Sequence, residues 1–275
     1  MPSTHDMTEK TAIIDALLAK YDRSNSTGKI WRFSETGYDG MEGYCRLKRV
    51  LSFHQVPIDV DAQTKMVFIR GHLAELQLEQ VVRMIHPGLV MHPFDHQPLR
   101  YNSPRGWSVQ GRPDGIIWPN TVVEFKSINA DAKLDKPHES HECQVMLTMW
   151  VIDKLMQCTG QHQRADGRLY YDKAGREFCV EPFHVEQDGR MDAIIRELDY
   201  LHENYGKIDF KPLVEHAGID GDLLKERREK PDKFPCHWIT RKGEGFCGYY
   251  HLCWGDRPAP IRRRTTAPRR RRATT

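Results

Sequence analysis

The sequence lacks long hydrophobic runs and any recognisable targeting segment. Its most apolar stretch, CQVMLTMWVI, stops at Asp153 and is too short to cross a bilayer. The first ten residues, MPSTHDMTEK, contain no apolar run behind a basic start, so no secretory signal is predicted. These absences favour a soluble, cytoplasmic protein with no membrane partner.

A disulfide framework is also not indicated. The sequence has seven cysteines, an odd count, and no secretion signal, which favours reduced thiols. Three of them, Cys236, Cys247 and Cys253, lie close together near the C-terminus, as metal ligands often do. The others at positions 143, 158 and 179 fall in helix or strand patterns and are expected to be buried small apolar residues. No flavin or nicotinamide fingerprint is present to support a redox enzyme.

Charge of one sign is missing from the end of the chain. The net charge is +3, yet residues 257–275 contain eight arginines and no acidic residue, so the preceding residues are net acidic. This tail has almost nothing apolar to bury and is expected to be disordered. It is predicted to contact nucleic-acid phosphates, with a solubilising tail as the alternative. The candidate contacts are Arg262, Arg263, Arg264, Arg269, Arg270, Arg271 and Arg272.

What the sequence does contain is an alternation of helical periods and hairpin signals. An N-terminal helix is predicted within residues 1–30, and a long helix from about 63 to 85 ends at Pro87-Gly88. A β-rich block, a helix, a second hairpin and an amphipathic helix follow. This order predicts an α/β (α+β) fold with a mixed central sheet flanked by helices. The predicted divisions are the N-terminal helix (1–30), the core (31–235), the Cys-rich segment (236–256) and the tail (257–275).

The stretch GRPDGIIWPNTVVEFKS predicts a hairpin with facing carboxylates. Glu124 and Lys126 share one face of a strand, while Phe125 faces the core. A turn at residues 118–121 brings Asp114 opposite Glu124 or Phe125. Facing carboxylates repel each other, and Mg²⁺ or Mn²⁺ with oxygen ligands would offset the repulsion. A salt bridge on an exposed sheet face is the alternative interpretation.

Two flanking helices add polar residues to this hairpin. Glu75 follows Gly71 by four residues on the helix before it, and Gln144 lies on the helix after it. Together with the Pro113-Asp114 pair and the Glu-x-Lys at 124–126, this order resembles the PD-(D/E)XK nuclease superfamily, in its RecB-like branch. The sequence departs from that pattern at Thr148, where the branch has tyrosine. Trp150 is either a substitute for that tyrosine in contacting DNA or a core residue.

The resemblance implies a restriction-endonuclease-like core that hydrolyses phosphodiester bonds. It implies that Glu75, Asp114 and Glu124, with the backbone carbonyl of Phe125, bind one or two Mg²⁺ or Mn²⁺ ions. Lys126 would orient or activate the attacking water and neutralise developing charge. The same motifs imply that Gln144 positions the scissile strand or supports the metal ligands.

The cysteines carry a second resemblance. Cys45 with Cys236, Cys247 and Cys253 is similar to the ligand set of the iron–sulfur RecB-like nucleases, among them CRISPR-associated exonucleases and AddB-type nucleases. It implies a [4Fe–4S] cluster that joins the N- and C-terminal segments. Ten residues separate Cys236 from Cys247, where these relatives usually have two. A zinc site in which His251 replaces Cys45 is the alternative.

The implied activity is a metal-dependent exonuclease on single-stranded DNA, with 5′ to 3′ polarity favoured. It would act in recombination, repair or CRISPR adaptation, with the protein partners of those processes. Arg46, Lys48 and Arg49 are candidate phosphate contacts or, alternatively, a solvated helix face. One alternative function is an end-trimming nuclease that works only in a complex. The other is a nucleic-acid-binding scaffold with a relict motif and a structural zinc site.

Overall fold

The computed structural model describes residues 29–41, 43–56, 62–128, 134–160, 164–172, 178–207 and Tyr249. The predicted N-terminal helix, Cys236, Cys247, Cys253, His251 and the arginine-rich tail lie outside these residues. None of the helices in the described ranges combines the length and the apolar character needed to cross a membrane.

Four helices and eight strands make up the described part of the chain. The helices are α1 (Arg46–Phe53), α2 (Ala62–Ile85), α3 (Glu139–Cys158) and α4 (Arg190–Tyr205). The first four strands are β1 (Trp31–Arg32), β2 (Leu89–Met91), β3 (Leu99–Asn102) and β4 (Ser108–Gly111). The remaining strands are β5 (Gly115–Ile117), β6 (Thr121–Ser127), β7 (Asp166–Asp172) and β8 (Phe178–Val185).

The strands form two sheets. The main sheet has the order β2-β5-β6-β7-β8, and a smaller sheet has the order β1-β4-β3. In the main sheet β6 and β7 are parallel, and the other neighbours are antiparallel. The parallel pair is possible because α3 provides the crossover between the two strands. The predicted α+β class with a mixed sheet is therefore confirmed.

Strand β6 is buried on both faces. Val122 packs in the larger hydrophobic core, which also contains the α3 residues Val145 and Met146. Val123 and Phe125 point to the opposite face, where they join a second cluster that includes Leu78 and Val82 of α2. Successive side chains of a strand alternate between faces, so α2 and α3 cover opposite sides of the sheet. This double covering excludes the interpretation of Glu124 and Lys126 as a pair on an exposed sheet face.

The structure defines the end of α2 and the start of α1. Helix α2 ends at Ile85, directly before the turn at Pro87-Gly88, as the sequence predicts. Phe33–Glu35 form a single 3-10 turn, and α1 begins at Arg46. The N-cap of α1 is Cys45, whose Sγ accepts a hydrogen bond from the backbone N–H of Lys48 at 3.1 Å.

Candidate active site

The β5–β6 hairpin brings two carboxylates side by side. Gly115 pairs with Val123, so the next position places Asp114 opposite Glu124, as the sequence predicts. The carboxylate of Asp114 accepts a hydrogen bond from the backbone N–H of Phe125 through Oδ2, at 2.8 Å. The backbone N–H of His92 donates to the carbonyl of Asp114 at 2.8 Å. Asp114 is therefore fixed by both neighbouring strands.

Glu124 is at the centre of the site. Its side chain is only 3% exposed, and its Oε1 accepts hydrogen bonds from Lys126 Nζ, at 2.5 Å, and from Gln144 Nε2. The other oxygen, Oε2, is buried without a hydrogen-bond partner among the described residues. A buried carboxylate oxygen without a donor is costly, so a cation at this position would stabilise the site.

Glu75 lies on α2, on the face of the sheet opposite to α3 and Gln144. A Cβ atom at Gly71 would lie 2.7 Å from Ser127 Oγ, so glycine allows α2 to run close to the end of β6. One turn later, Glu75 Oε1 accepts a long hydrogen bond from the backbone N–H of Ser127 at 3.4 Å. The Nδ1 atom of His72, the residue after Gly71, lies 3.9 Å from Glu75 Oε2.

Electrostatics at the site favour uncharged acids in the absence of a cation. Burial and the neighbouring Asp114 raise the pKa of Glu124 to about 8, although Lys126 opposes this increase. Burial raises the pKa of Glu75 to about 7, with Lys126 opposing the increase and Asp114 adding to it. The pKa of Asp114 is raised in the same way by burial. Three acids in one region therefore have raised pKa values.

Lys126 stays charged in this environment. Burial alone would lower its pKa, but the carboxylates of Glu124, Asp114 and Glu75 outweigh burial and raise it. One ammonium group cannot balance three ionised carboxylates, so full ionisation of the acids requires additional positive charge. The site therefore has the charge requirement of a divalent-cation site.

The carboxylates are of the chemical type that binds Mg²⁺ or Mn²⁺, although in this structure they are not arranged around one common position. Hard carboxylate oxygens are the ligands that these ions prefer, and Glu124 Oε2 lacks a partner in the described chain. However, no group of three or more Asp, Glu, His or Cys side chains within the described ranges lies close enough to hold a metal ion. Glu75, Asp114 and Glu124 would have to reorient on binding, since protein donors now hold all three.

A histidine–tyrosine cluster beside the site was not identified from the sequence. Tyr171 lies next to Lys126 in the parallel β6–β7 register, and its Oη is 3.0 Å from His141 Nδ1. The backbone N–H of His138 donates to the same Oη at 3.1 Å. Burial, together with Lys126 and His138, lowers the pKa of His141 to about 3, so this imidazole is neutral. The sequence contains one indication of this cluster: His141 lies three residues before Gln144 and therefore on the same face of α3.

The residues after Gln144 are packing residues. Thr148, which stands where the RecB-like pattern has tyrosine, is buried and donates to the carbonyl of Gln144 at 2.9 Å. Trp150 packs edge-on against Tyr101 with ring centroids 4.7 Å apart, and Lys154 Nζ lies 5.5 Å from its ring centroid. The structure thus favours the core interpretation of Trp150.

The three basic residues after Cys45 have three different environments. Arg46 forms two hydrogen bonds of 2.7 Å with Glu197, and its guanidinium lies 4.5 Å above the Tyr200 ring. Lys48 is exposed, whereas Arg49 is 2% exposed. The interpretation of a solvated face is therefore wrong for Arg49.

Two of the remaining cysteines can be placed. Cys143 is buried, with its Sγ 3.7 Å from Met41 Sδ, as expected for a small core residue. Cys158 is exposed at the end of α3, so the expectation that it is buried is wrong. Among the four predicted cluster ligands, only Cys45 belongs to the described residues, and it is buried.

The fold is similar to several solved structures over part of the chain. No family model and no curated protein matches the chain. Similar solved structures include SSO0001, with 14% identity, coverage of 71% of this chain and 86% of that one, and a TM-score of 0.45. An alkaline exonuclease from Laribacter hongkongensis has 18% identity, coverage of 68% and 83%, and a TM-score of 0.32. A proposed exonuclease from Eubacterium rectale has 11% identity, coverage of 73% and 86%, and a TM-score of 0.41. At these values the overlap carries no functional conclusion, so function must be argued from the site.

Proposed function

We propose that this protein is a metal-dependent nuclease that hydrolyses phosphodiester bonds in DNA. The observation that carries this proposal is Glu124, a buried carboxylate held by Lys126 and Gln144 beside Asp114, with one oxygen left without a partner among the described residues. A surface or purely structural role does not explain two buried carboxylates with raised pKa values that face each other across the β5–β6 hairpin.

Glu75, Asp114 and Glu124 would hold Mg²⁺ or Mn²⁺, and the backbone carbonyl of Phe125 is a further proposed ligand. Such an ion supplies positive charge against the phosphate and lowers the pKa of a coordinated water. Gln144 donates a hydrogen bond to Glu124 Oε1, which would orient this carboxylate for metal binding. Gln144 is therefore proposed as a positioning residue for Glu124.

Lys126 is proposed as the donor that faces the reacting phosphate. Its raised pKa keeps the ammonium protonated at neutral pH, so it acts through charge and hydrogen bonding and does not abstract a proton. An ammonium group has three N–H donors, and one of them is directed to Glu124. The others can orient a water or a phosphate oxygen and neutralise charge that develops during cleavage.

The finer assignments come from the sequence motifs. We propose single-stranded DNA ends as the substrate, cleavage from 5′ to 3′, and a role in recombination, repair or CRISPR adaptation. A [4Fe–4S] cluster on Cys45, Cys236, Cys247 and Cys253 belongs to the same proposal. The arginine-rich tail would add nonspecific contacts with the phosphate backbone.

Cleavage and metal binding test the proposed function together. Single-stranded DNA labelled at either the 5′ or the 3′ end is incubated with the protein and Mn²⁺, and Mn²⁺ binding is followed separately by calorimetry. Asp114→Asn should lose Mn²⁺ binding, and Lys126→Met should slow cleavage by at least about 100-fold while the fold is retained. Asp192→Asn, a change at an exposed position of α4, is the matched control and should leave both unchanged. DNA binding without cleavage by the wild type would instead indicate the scaffold with a relict motif.

A further inference from the structure

A cavity of about 250 Å³ lies between the segment before α1, helix α1 itself and the first turn of α3. Its lining includes Thr36, Cys45, Lys48, Arg49 and His141. These residues are outside the carboxylate site, and of them the proposed function uses only Cys45, as a ligand of the proposed cluster. The cavity is therefore a separate feature of the fold.

Arg49 is the distinctive residue of this cavity. Its side chain is 2% exposed, and Nη1 donates to the backbone carbonyl of Glu35 at 2.7 Å. Its Nε and Nη2 atoms are buried and have no hydrogen-bond partner among the described residues. The guanidinium also lies 5.6 Å from the centroid of the Trp31 ring. A buried guanidinium with two unused donors is costly unless an anion completes it.

Thr36, which also lines the cavity, adds a third unused donor atom to the two of Arg49. Its hydroxyl is buried and, within the described part of the chain, has no partner. Lys48 contributes positive charge, and Glu35 is the acidic residue of the lining. Lys48 and Arg49 carry two positive charges against the one carboxylate of Glu35, so the net charge of the lining is positive. Unused N–H and O–H donors with positive charge fit an oxyanion.

We propose that this cavity is a phosphate-binding subsite. Arg49 would bind two phosphate oxygens through Nε and Nη2, and the Thr36 hydroxyl would donate to the phosphate as well. The planar guanidinium matches the spacing of two phosphate oxygens, which a lysine ammonium cannot reproduce.

The position of His141 connects the subsite to the proposed nuclease function. His141 lines the cavity, and its Nδ1 contacts Tyr171, which is aligned with Lys126 across β6 and β7. A strand whose phosphate occupies the cavity would therefore pass beside the carboxylate site. This reading rests on the proposed function, whereas phosphate binding itself does not. The same chemistry is offered by a phosphate of the DNA substrate and by free phosphate.

Thr36→Val is the decisive variant because it replaces an unpartnered hydroxyl by a methyl group of similar size. Removing an unsatisfied buried hydroxyl should leave the melting temperature without phosphate equal or higher. The affinity for inorganic phosphate, measured by calorimetry in EDTA, should fall about tenfold. Arg49→Lys should weaken it further, and Thr121→Val, at the far end of β6, should leave it unchanged. Equal phosphate affinity in the wild type and Thr36→Val overturns the proposal, whether or not Arg49→Lys folds.

A second comparison identifies the source of the phosphate. The same oligodeoxynucleotide is tested with and without a 5′-phosphate, again in EDTA, so that cleavage does not take part. Thr36-dependent preference for the phosphorylated strand identifies a strand end, and Thr36-dependent binding of inorganic phosphate alone identifies a free anion. Either result can be obtained with an enzyme that fails to cleave, so failure of the nuclease proposal is recognised separately. Because Cys45 lines the cavity, a preparation that contains iron and binds no phosphate overturns the subsite.

Discussion

Replacing Glu124 by glutamine should stabilise the metal-free protein at about pH 8 while abolishing cleavage. The pKa of Glu124 rises from 4.5 to about 8 on folding, so the folded state binds a proton that the unfolded state has lost between these values. The contribution of Glu124 to the free energy of unfolding is therefore complete below pH 4.5, its pKa in the unfolded state. It decreases as the pH rises toward about 8, its pKa in the folded state. At 1.36 kcal/mol per pKa unit, this loss amounts to as much as about 4 kcal/mol by about pH 8. Glutamine resembles the protonated acid and removes the loss.

Urea unfolding in EDTA, at about pH 5 and about pH 8, measures this effect. The two proteins should have similar free energies of unfolding at the lower pH, and Glu124→Gln should be more stable at the higher one. A residual pH dependence from Glu75, whose pKa is about 7, should persist in the variant. Glu203→Gln, at an exposed position of α4, controls for the change in net charge. A wild type that is as stable as Glu124→Gln at about pH 8 would refute the reasoning.

Two further predictions concern side chains around the site. Gln144→Leu removes a hydrogen-bond donor from ionised Glu124, which should raise the pKa of this carboxylate. The pH midpoint of Mn²⁺ binding should therefore rise by about one unit. Calorimetry at a series of pH values measures the midpoint, and an unchanged value contradicts the prediction. Cys45→Ser keeps an oxygen that can cap α1, so the melting temperature of iron-free protein should change little. If the cluster proposal is correct, the same variant should lose bound iron and visible absorbance, and retained iron removes Cys45 from the ligand set.

Local patterns in the sequence predict the hairpin and the helices on either side of it. The turn around Pro119 sets the register, and the register alone places Asp114 opposite Glu124. The end of α2 follows from Pro87 and Gly88, because proline and glycine are strong helix terminators. These features depend on neighbouring residues, so a single sequence contains the information.

Long-range pairing limits what the sequence can predict. The burial of β6 on both faces depends on α2 and α3 packing from opposite sides, and the alternation within TVVEFKS does not distinguish one covered face from two. The contact between His141 and Tyr171 joins a helix to a strand and has no local signature. The sequence does not distinguish Arg49 from Arg46 and Lys48 either, because its burial arises from tertiary packing.

The placement of α2 and α3 on opposite faces of the sheet has a consequence for synthesis. Glu75 and Gln144 reach the hairpin from these two helices, and α3 leads to β7, which pairs with β6. A ribosome-bound chain that ends before β7 therefore carries the acidic hairpin without its complete surroundings. On the proposed function, cleavage should therefore first appear when β7 and α3 have completed the surroundings of the hairpin.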